Sequence, residues 1–436
     1  MTNPNTSDQS LPFYYGWIII VLAFLTLGVI YGIWYSYSVF IIAVIDEFNW
    51  SRGAASSIFS VFVLIHSFAG LLAGPLQDRF GPRIVIPVGG ALLALSLYLT
   101  SLTQGFWQFQ LAFSLMAGVS MSLVAFNSHS IFLPKWFERK RGLTIGIAMS
   151  GIGFGMLIIV PLAEKLISEY GWRFAYTCLA GIVLFVICPL NMIFSRRSPE
   201  SINLSPDGDS KSINAQSIQP KRVMKIINKK WASIDWNVKN AVRTRQFWYL
   251  TACYFTISFV NQGIHLHSIS SMVDAGISRH MSAYYFGITG VASASGKILF
   301  GYLSDLTGRE QAKTLSDILA IFGIISLMLV ATIGGPMPIL FGLFFGLGCG
   351  AAAALLPAYS ADIFLGRNFG AIFTLIAIGG GLGGASGTYL CGLLFDIFHA
   401  YTIPFTICCV LLVVSNILIW LAAPRKIRKM VRVETG

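Results

Sequence analysis

Read along its length, the chain alternates between long apolar runs and short polar interruptions. A bilayer's hydrocarbon core needs about 20 apolar residues in a helix. Runs of that length recur near 14–40, 53–75, 84–103, 106–133, 142–165, 172–194, 246–272, 282–304, 314–334, 337–362, 368–394 and 401–423. The pattern predicts an all-α membrane protein with twelve transmembrane helices in two sets of six. It divides the chain into an N-terminal six-helix half at 1–194, a linker at 195–245 and a C-terminal six-helix half at 246–436. The linker opens with SPESINLSPDGDSKS, a composition that favours disorder. It continues with KRVMKIINKKWASIDWNVKNAVR, which reads as an amphipathic surface helix. The first ten residues are polar and the first apolar run is too long for a signal segment, so no cleavable leader is expected.

Composition agrees with the pattern. The sequence is 55% hydrophobic and 11% charged, against about 25% charged in soluble domains. The net charge of +12 would suit nucleic acid if it were clustered, but its placement has another meaning. With the N-terminus inside, 25 of the 30 Lys and Arg fall in segments on that side. Four fall on the other (Arg52, Lys165, Arg173 and Arg279), and Lys297 is the one left within a span. By the positive-inside rule both termini and the linker are expected in the cytoplasm, with the chain multi-pass in a plasma membrane, the inner membrane of a bacterium. The lipid bilayer is then a partner and nucleic acid is not. The seven cysteines all lie in apolar runs without metal-ligand spacing, so they read as small buried hydrophobes; no metal, cofactor or catalytic residue is expected.

The two halves repeat each other. GPLQDRFGPR at 74–83 follows the second run and GYLSDLTGRE at 301–310 the eighth, with Asp78 and Asp305 227 positions apart. WFERKRG ending at Gly142 and IFLGRNFG ending at Gly370 are 228 apart, and Gly151, Gly153 and Gly155 map onto Gly379, Gly381 and Gly383 at that same offset. Parallel six-helix repeats are a transporter architecture. Asp78, Arg79, Gly81, Arg83, Asp305 and Arg309 form the repeated charged turns. A carboxylate there can accept from helix N-terminal N–H groups and pair with a cation, a latch that releases when the halves rock.

These two turns resemble the G-x-L-x-D-R-x-G-x-R signature of the major facilitator superfamily, closely after the second helix and loosely after the eighth. FYYGW entering the first helix and WFERKRGLTIGIAMSGIGFG entering the fifth resemble the monocarboxylate transporter branch and its bacterial oxalate–formate-like relatives. The resemblance implies two pseudo-symmetric six-helix bundles around a central cavity lined by helices 1, 4, 7 and 10. It implies an arginine in helix 8 that binds the substrate carboxylate, with an aspartate four residues earlier. Aligned on Gly301 and Asp305, this chain has Lys297 and Ser293 there. Lysine keeps the charge without the bidentate fork; serine cannot carry a proton.

An ionised lysine within a span needs a partner or a wet cavity, and Lys297 lies eight positions before Asp305, about 12 Å along a helix and beyond the reach of its stem. The other polar residues in spans are Tyr31, Tyr35, His66, Asn127, His129, Asn261, Gln262, His265, His267 and Tyr359. The expected substrate-binding set is Lys297, Asn127, Tyr31, Tyr35, His265, His267, Asn261 and Tyr359. The expected function is secondary active transport of a small organic anion, a mono- or dicarboxylate, by alternating access. Symport with protons and anion exchange without them both stay open. A drug-like exporter is the rival, although no acid is read at mid-depth to attract a cation. An enzyme is not expected, because no nucleophile–base pair or metal spacing stands out.

Overall fold

The computed structural model describes residues 14–137, 141–202, 204–208, 222–366 and 368–432. Residues 209–221 lie outside the described residues, as do Phe13, Arg139, Lys140 and Arg367; of the stretch 198–212 expected to be disordered, the described part forms short helical turns at Pro199–Ile202 and Pro206–Gly208. The first six long helices are α1 (Gly16–Phe48), α2 (Arg52–Phe80), α3 (Pro82–Ser101), α4 (Phe106–Trp136), α5 (Arg141–Tyr170) and α6 (Trp172–Phe194). The last six are α7 (Arg245–Asp274), α8 (Arg279–Thr307), α9 (Arg309–Met328), α10 (Met337–Phe364), α11 (Phe369–Phe398) and α12 (Thr402–Ala422). Among the described residues, ten helices are long and apolar enough to cross a membrane. Among these twelve, α7 and α8 fall short on apolarity and not on length, because they carry Asn261, Gln262, His265, His267 and Lys297.

Short sequence signals set the helix ends. Ser51, Thr244 and Ser278 cap α2, α7 and α8 by accepting a backbone N–H three residues on. Gly81 and Gly308 make the two repeated turns at φ 74° and 106°, a region that favours glycine. One helix is broken inside its span. In α4, a π-helical stretch at Gln110–Ala117 is followed by extended backbone at Ala125 (ψ −171°), and a new helical segment starts at Phe126.

Packing repeats as the sequence does. Helix α5 packs on α1 and on α8; α11 packs on α7 and on α2. A side chain at Gly151 or Gly155 would collide with the carbonyls of Phe24 and Gly28, and one at Gly379 or Gly383 with those of Thr251 and Phe255. Gly153 faces Gly290 of α8, and its repeat mate Gly381 faces Ser67 of α2. Bare backbone at these crossings lets membrane helices approach closely.

The linker differs from the amphipathic helix expected for it. Arg222–Ile226 is a strand, β1, paired antiparallel with β2 (Arg428–Arg432) beyond α12, in register from Arg222 with Arg432 to Ile226 with Arg428. Short helical turns follow at Lys229–Ala232 and Val238–Val242. Trp231 donates to the Ile363 carbonyl at 2.8 Å, and Trp236 meets Phe364 edge-on, so this part of the linker is seated on the end of α10. The ribbon, the described linker residues, the start of α1 and the end of α12 share one face of the bundle, the termini face; the other is the distal face.

Candidate functional site

A cavity of about 410 Å³ lies between the two sets of helices. It is lined from α1 (Tyr31, Tyr35), α4 (Phe126), α5 (Met149, Ile152, Gly153, Met156), α7 (Tyr254, Ser258, Asn261, Gln262, His265), α8 (Gly290, Ser293, Lys297), α10 (Cys349, Leu356, Pro357) and α11 (Phe373, Ala377). Phe373 is one turn from the start of α11, so the cavity reaches close to the termini face. Toward the distal face it ends at an aromatic cluster, where the His265 ring lies 5.0 Å from Tyr35, 5.7 Å from Phe286 and 5.3 Å from Phe345.

Among the described residues that line it, Lys297 is the only formally charged one and none is an acid. The ammonium has no ion-pair partner among the described residues; Cys349 of α10 lines the same cavity. Around it stand uncharged groups. His265 Nδ1 donates to the Asn261 carbonyl at 2.6 Å, a carbonyl being able only to accept, so Nε2 holds the lone pair. The Tyr31 hydroxyl sits at the Phe126 backbone, where α4 restarts. A helix start turns unpaired N–H groups and positive dipole toward whatever lies before it. One cation, a broken helix and hydroxyl or amide groups make a pocket suited to a small anion.

Five of the eight expected binding residues are together here: Lys297, Tyr31, Tyr35, His265 and Asn261. Asn127 opens the second segment of α4, and its side chain lies outside what is described. Two stand elsewhere. Tyr359 is fully buried at the termini end of α10, its hydroxyl donating to the Arg309 carbonyl at 3.3 Å. His267 is two positions from His265, which on a helix turns it about 200° away, toward α2 and α11. His66 packs edge-on to Trp34, and His129 lies against the Ala125 carbonyl; neither lines the cavity.

The turn residues are not alike. Arg309 pairs with Asp305 at 2.7 Å and with Asp362 of α10 at 3.3 Å. Asp78 is exposed and has no ion pair among the described residues. Arg79 lies over the Phe80 ring, and Arg83 donates to the Met192 carbonyl at 2.8 Å.

Two charged clusters were not read from the sequence. The first is in α9. Lys313, one of the 25 basic residues expected in segments on the inner side, is 1% exposed and pairs with Asp317, 7% exposed, so Lys297 is not the only lysine within a span. Lys313 also donates to Ser415 of α12 at 3.0 Å. Asp317 is likewise an acid within a span, but it is neutralised and lies outside the cavity.

The second cluster closes the distal face. Arg52 of α2 pairs with Asp274 of α7 at 2.7 Å, and Arg279 of α8 pairs with Asp46 of α1 at 2.6 Å. These are one bridge repeated: Asp46 and Asp274 are 228 apart, Arg52 and Arg279 227 apart. The offset that related the glycines was the signal that would have found it. Asp396 of α11 accepts the backbone N–H groups of Arg52 at 2.9 Å and Gly53 at 2.7 Å, capping α2 from the other half. Ser60 of α2 donates to the Ala385 carbonyl of α11 at 2.7 Å. The distal face is thus tied shut across the two sets of helices, while the cavity extends toward the termini face.

Comparison with known proteins agrees with this architecture. The sequence model of the Major Facilitator Superfamily matches residues 22–345. The oxalate:formate antiporter of Oxalobacter formigenes is 27% identical over 405 residues, 89% of each chain. Monocarboxylate transporter 13 of Bos taurus is 22% identical over 402 residues, 90% of this chain and 86% of that one. Among solved structures, a bacterial homolog of the human lysosomal transporter Spinster, inward-facing and unoccupied, superposes with a TM-score of 0.70 at 14% identity, over 96% of this chain and 98% of that one. A D-xylose-proton symporter superposes with a TM-score of 0.67 at 16% identity, over 93% and 97%. These relatives are transporters, not enzymes.

Proposed function

Since the chain belongs to the Major Facilitator Superfamily, in the branch of the oxalate:formate and monocarboxylate transporters, we propose that it is a secondary transporter of a small organic anion, working by alternating access. The observation that carries this reading is the cavity itself: among the described residues its lining holds one ammonium without an ion-pair partner and no carboxylate. A single positive charge favours a monoanion. A cationic drug would meet repulsion and no counter-charge, which disfavours the exporter reading. Met149, Met156, Ile152 and Leu356 supply apolar wall for the rest of the substrate.

The halves at 1–194 and 246–436 are proposed to move as bodies about the glycine-lined contacts of α5 with α8 and α2 with α11. The ion pairs hold the distal side closed, and the turn at Asp78 is free to latch when the termini side closes in its place. We assign the termini face to the cytoplasm of a bacterial inner membrane on the charge distribution. Green fluorescent protein fused after Gly436 should glow and alkaline phosphatase there should be inactive; the reverse pair of results overturns the orientation.

Counterflow into proteoliposomes with a panel of mono- and dicarboxylates tests the substrate class, and running it with and without an imposed pH gradient separates symport from exchange. A charge-assisted hydrogen bond to Lys297 is worth about 1.5–3 kcal/mol. Lys297→Met should therefore weaken anion binding by roughly 10- to 150-fold, and Lys297→Arg should bind with altered selectivity because the fork demands different geometry. Undiminished binding in Lys297→Met would mean that the anion sits elsewhere.

A further inference from the structure

The distal cluster contains a histidine that the transport cycle above leaves unused. His267, on α7, is 1% exposed where α2, α11 and the turn before α12 meet. Its Nε2 lies 3.0 Å from the Thr388 carbonyl, which can only accept, so in the neutral ring Nε2 carries the hydrogen. The same N–H lies 3.3 Å from Ser56 Oγ. Nδ1 then holds the lone pair, and it lies 3.2 Å from the Tyr401 hydroxyl. That hydroxyl accepts from the Arg52 guanidinium at 2.5 Å, which leaves its own hydrogen to point at Nδ1. Burial holds the Tyr401 phenol well above its ordinary range, so the hydrogen stays in place.

The donors therefore run one way, from Arg52 to Tyr401 to His267 to the Thr388 carbonyl. The charged and titratable groups facing the ring are Arg52 from α2, Asp396 from α11 and Tyr401 before α12, and those acting on the Tyr401 hydroxyl are Arg52, Asp274 of α7 and Cys391 of α11. Both acids are already engaged: Asp274 by Arg52, and Asp396 by the backbone N–H groups at the start of α2. The Arg52 guanidinium also stacks 3.9 Å from the Phe395 ring centroid.

We infer that His267 is a proton-binding site that unlocks the distal face: a proton on Nδ1 abolishes the one hydrogen bond that the ring accepts and sets a second cation beside Arg52. The bookkeeping is simple. The proton comes from solvent on the distal side and forms one N–H bond; the Tyr401 hydroxyl loses its acceptor, and no covalent bond breaks. A buried imidazolium next to a guanidinium, with no uncommitted acid facing it, is relieved by separating α2 from α7, α11 and Tyr401. This inference rests on the alternating-access reading for its consequence: a distal face that opens only when protonated admits proton and anion in the same half-cycle. Its geometry is independent of which anion is carried.

The test measures the opening itself. Spin labels carried on unnatural side chains at exposed Trp107 and His280, at the distal ends of α4 and α8, report the separation across that face in liposomes. Between about pH 8 and about pH 5, where histidine changes charge, the widely separated population should rise at least threefold. In His267→Gln the amide keeps an N–H for Thr388 and an oxygen for Tyr401 but does not titrate, so the populations should stay flat. Tyr401→Phe removes the hydrogen bond that protonation abolishes but keeps the second cation beside Arg52 and the Arg52–Asp274 bridge, so its response should be clearly smaller than the parent's. If His267→Gln does not fold, Tyr401→Phe decides. A parent chain that does not respond to pH, or a variant that responds as the parent does, overturns the proposal. A parent that opens with acid yet shows no carboxylate counterflow supports this site and overturns the substrate reading alone.

Discussion

Two lysines sit inside the helical bundle, and their surroundings give them opposite properties. Lys297 faces a cavity with no carboxylate among its described lining residues, so its charge is available. Lys313 is spent on Asp317 and Ser415, packed between α9 and α12. Removing one member of a buried pair leaves the other uncompensated, at a cost of about 3–5 kcal/mol, whereas replacing both with apolar groups is often neutral. Lys313→Met should therefore lower the thermal midpoint in detergent markedly, and Lys313→Met/Asp317→Leu should recover most of the loss. Neither should change anion affinity by more than about twofold, because the pair lies outside the cavity. If the double variant is no more stable than the single one, the pair does more than neutralise itself. Charge alone did not separate the two lysines in the sequence. Lys297 stood out because apolar residues surround it on both sides. Lys313, four residues from Arg309, read as the end of a polar turn, and only the i, i+4 spacing to Asp317 hinted at a buried partnership. Tyr359 and His267 were misplaced for a related reason: a polar residue in a span needs a partner, but which side of its helix holds that partner is set by neighbours far along the chain.

At the scale of the helices, most of the architecture was legible because a membrane leaves the backbone few choices. Runs of apolar residues marked the twelve helices, and the repeat offset marked two duplicated halves. Gly151 and Gly155 against α1, and Gly379 and Gly383 against α7, are contacts that a duplicated sequence makes twice. The deviations are instructive. The two helices with the weakest apolar signal, α7 and α8, carry most of the polar cavity lining, so the lapse in hydropathy marked function. The break at Ala125 has no glycine or proline at that position to announce it. The linker's RVMKI has basic and apolar residues that suit a surface helix as well as a strand. It is a strand because its partner, RKMVR, lies about 200 positions away, and no local pattern contains that partner.

At the scale of the whole molecule, the bridges and the turns oppose one another. The twin pairs Arg52–Asp274 and Arg279–Asp46 span the two sets of helices on the distal side, each made by one helix end from each set. On the termini side, Arg309 is paired within the last six helices and Asp78 is unpaired among the described residues, so nothing described there ties Asp78 to the other set. A duplicated ancestor provides such twin bridges at no extra sequence cost, since one Asp and one Arg per repeat generate both. The β ribbon has a different consequence. Its strands precede α7 and follow α12, so the last six helices begin and end at the same clasp, and that module is fastened to itself and not to the first six. The chain should then be divisible on one side of the clasp and not on the other. Co-expressed fragments 1–215 and 216–436 keep both strands in one piece and should assemble into a complex that co-purifies and transports. Fragments 1–230 and 231–436 put the strands in different pieces, leave β2 an unpaired edge and should yield at least several-fold less complex. Equal recovery of the two pairs would show the ribbon to be an ornament of the fold; unequal recovery would make it the hem that keeps half of a transporter whole.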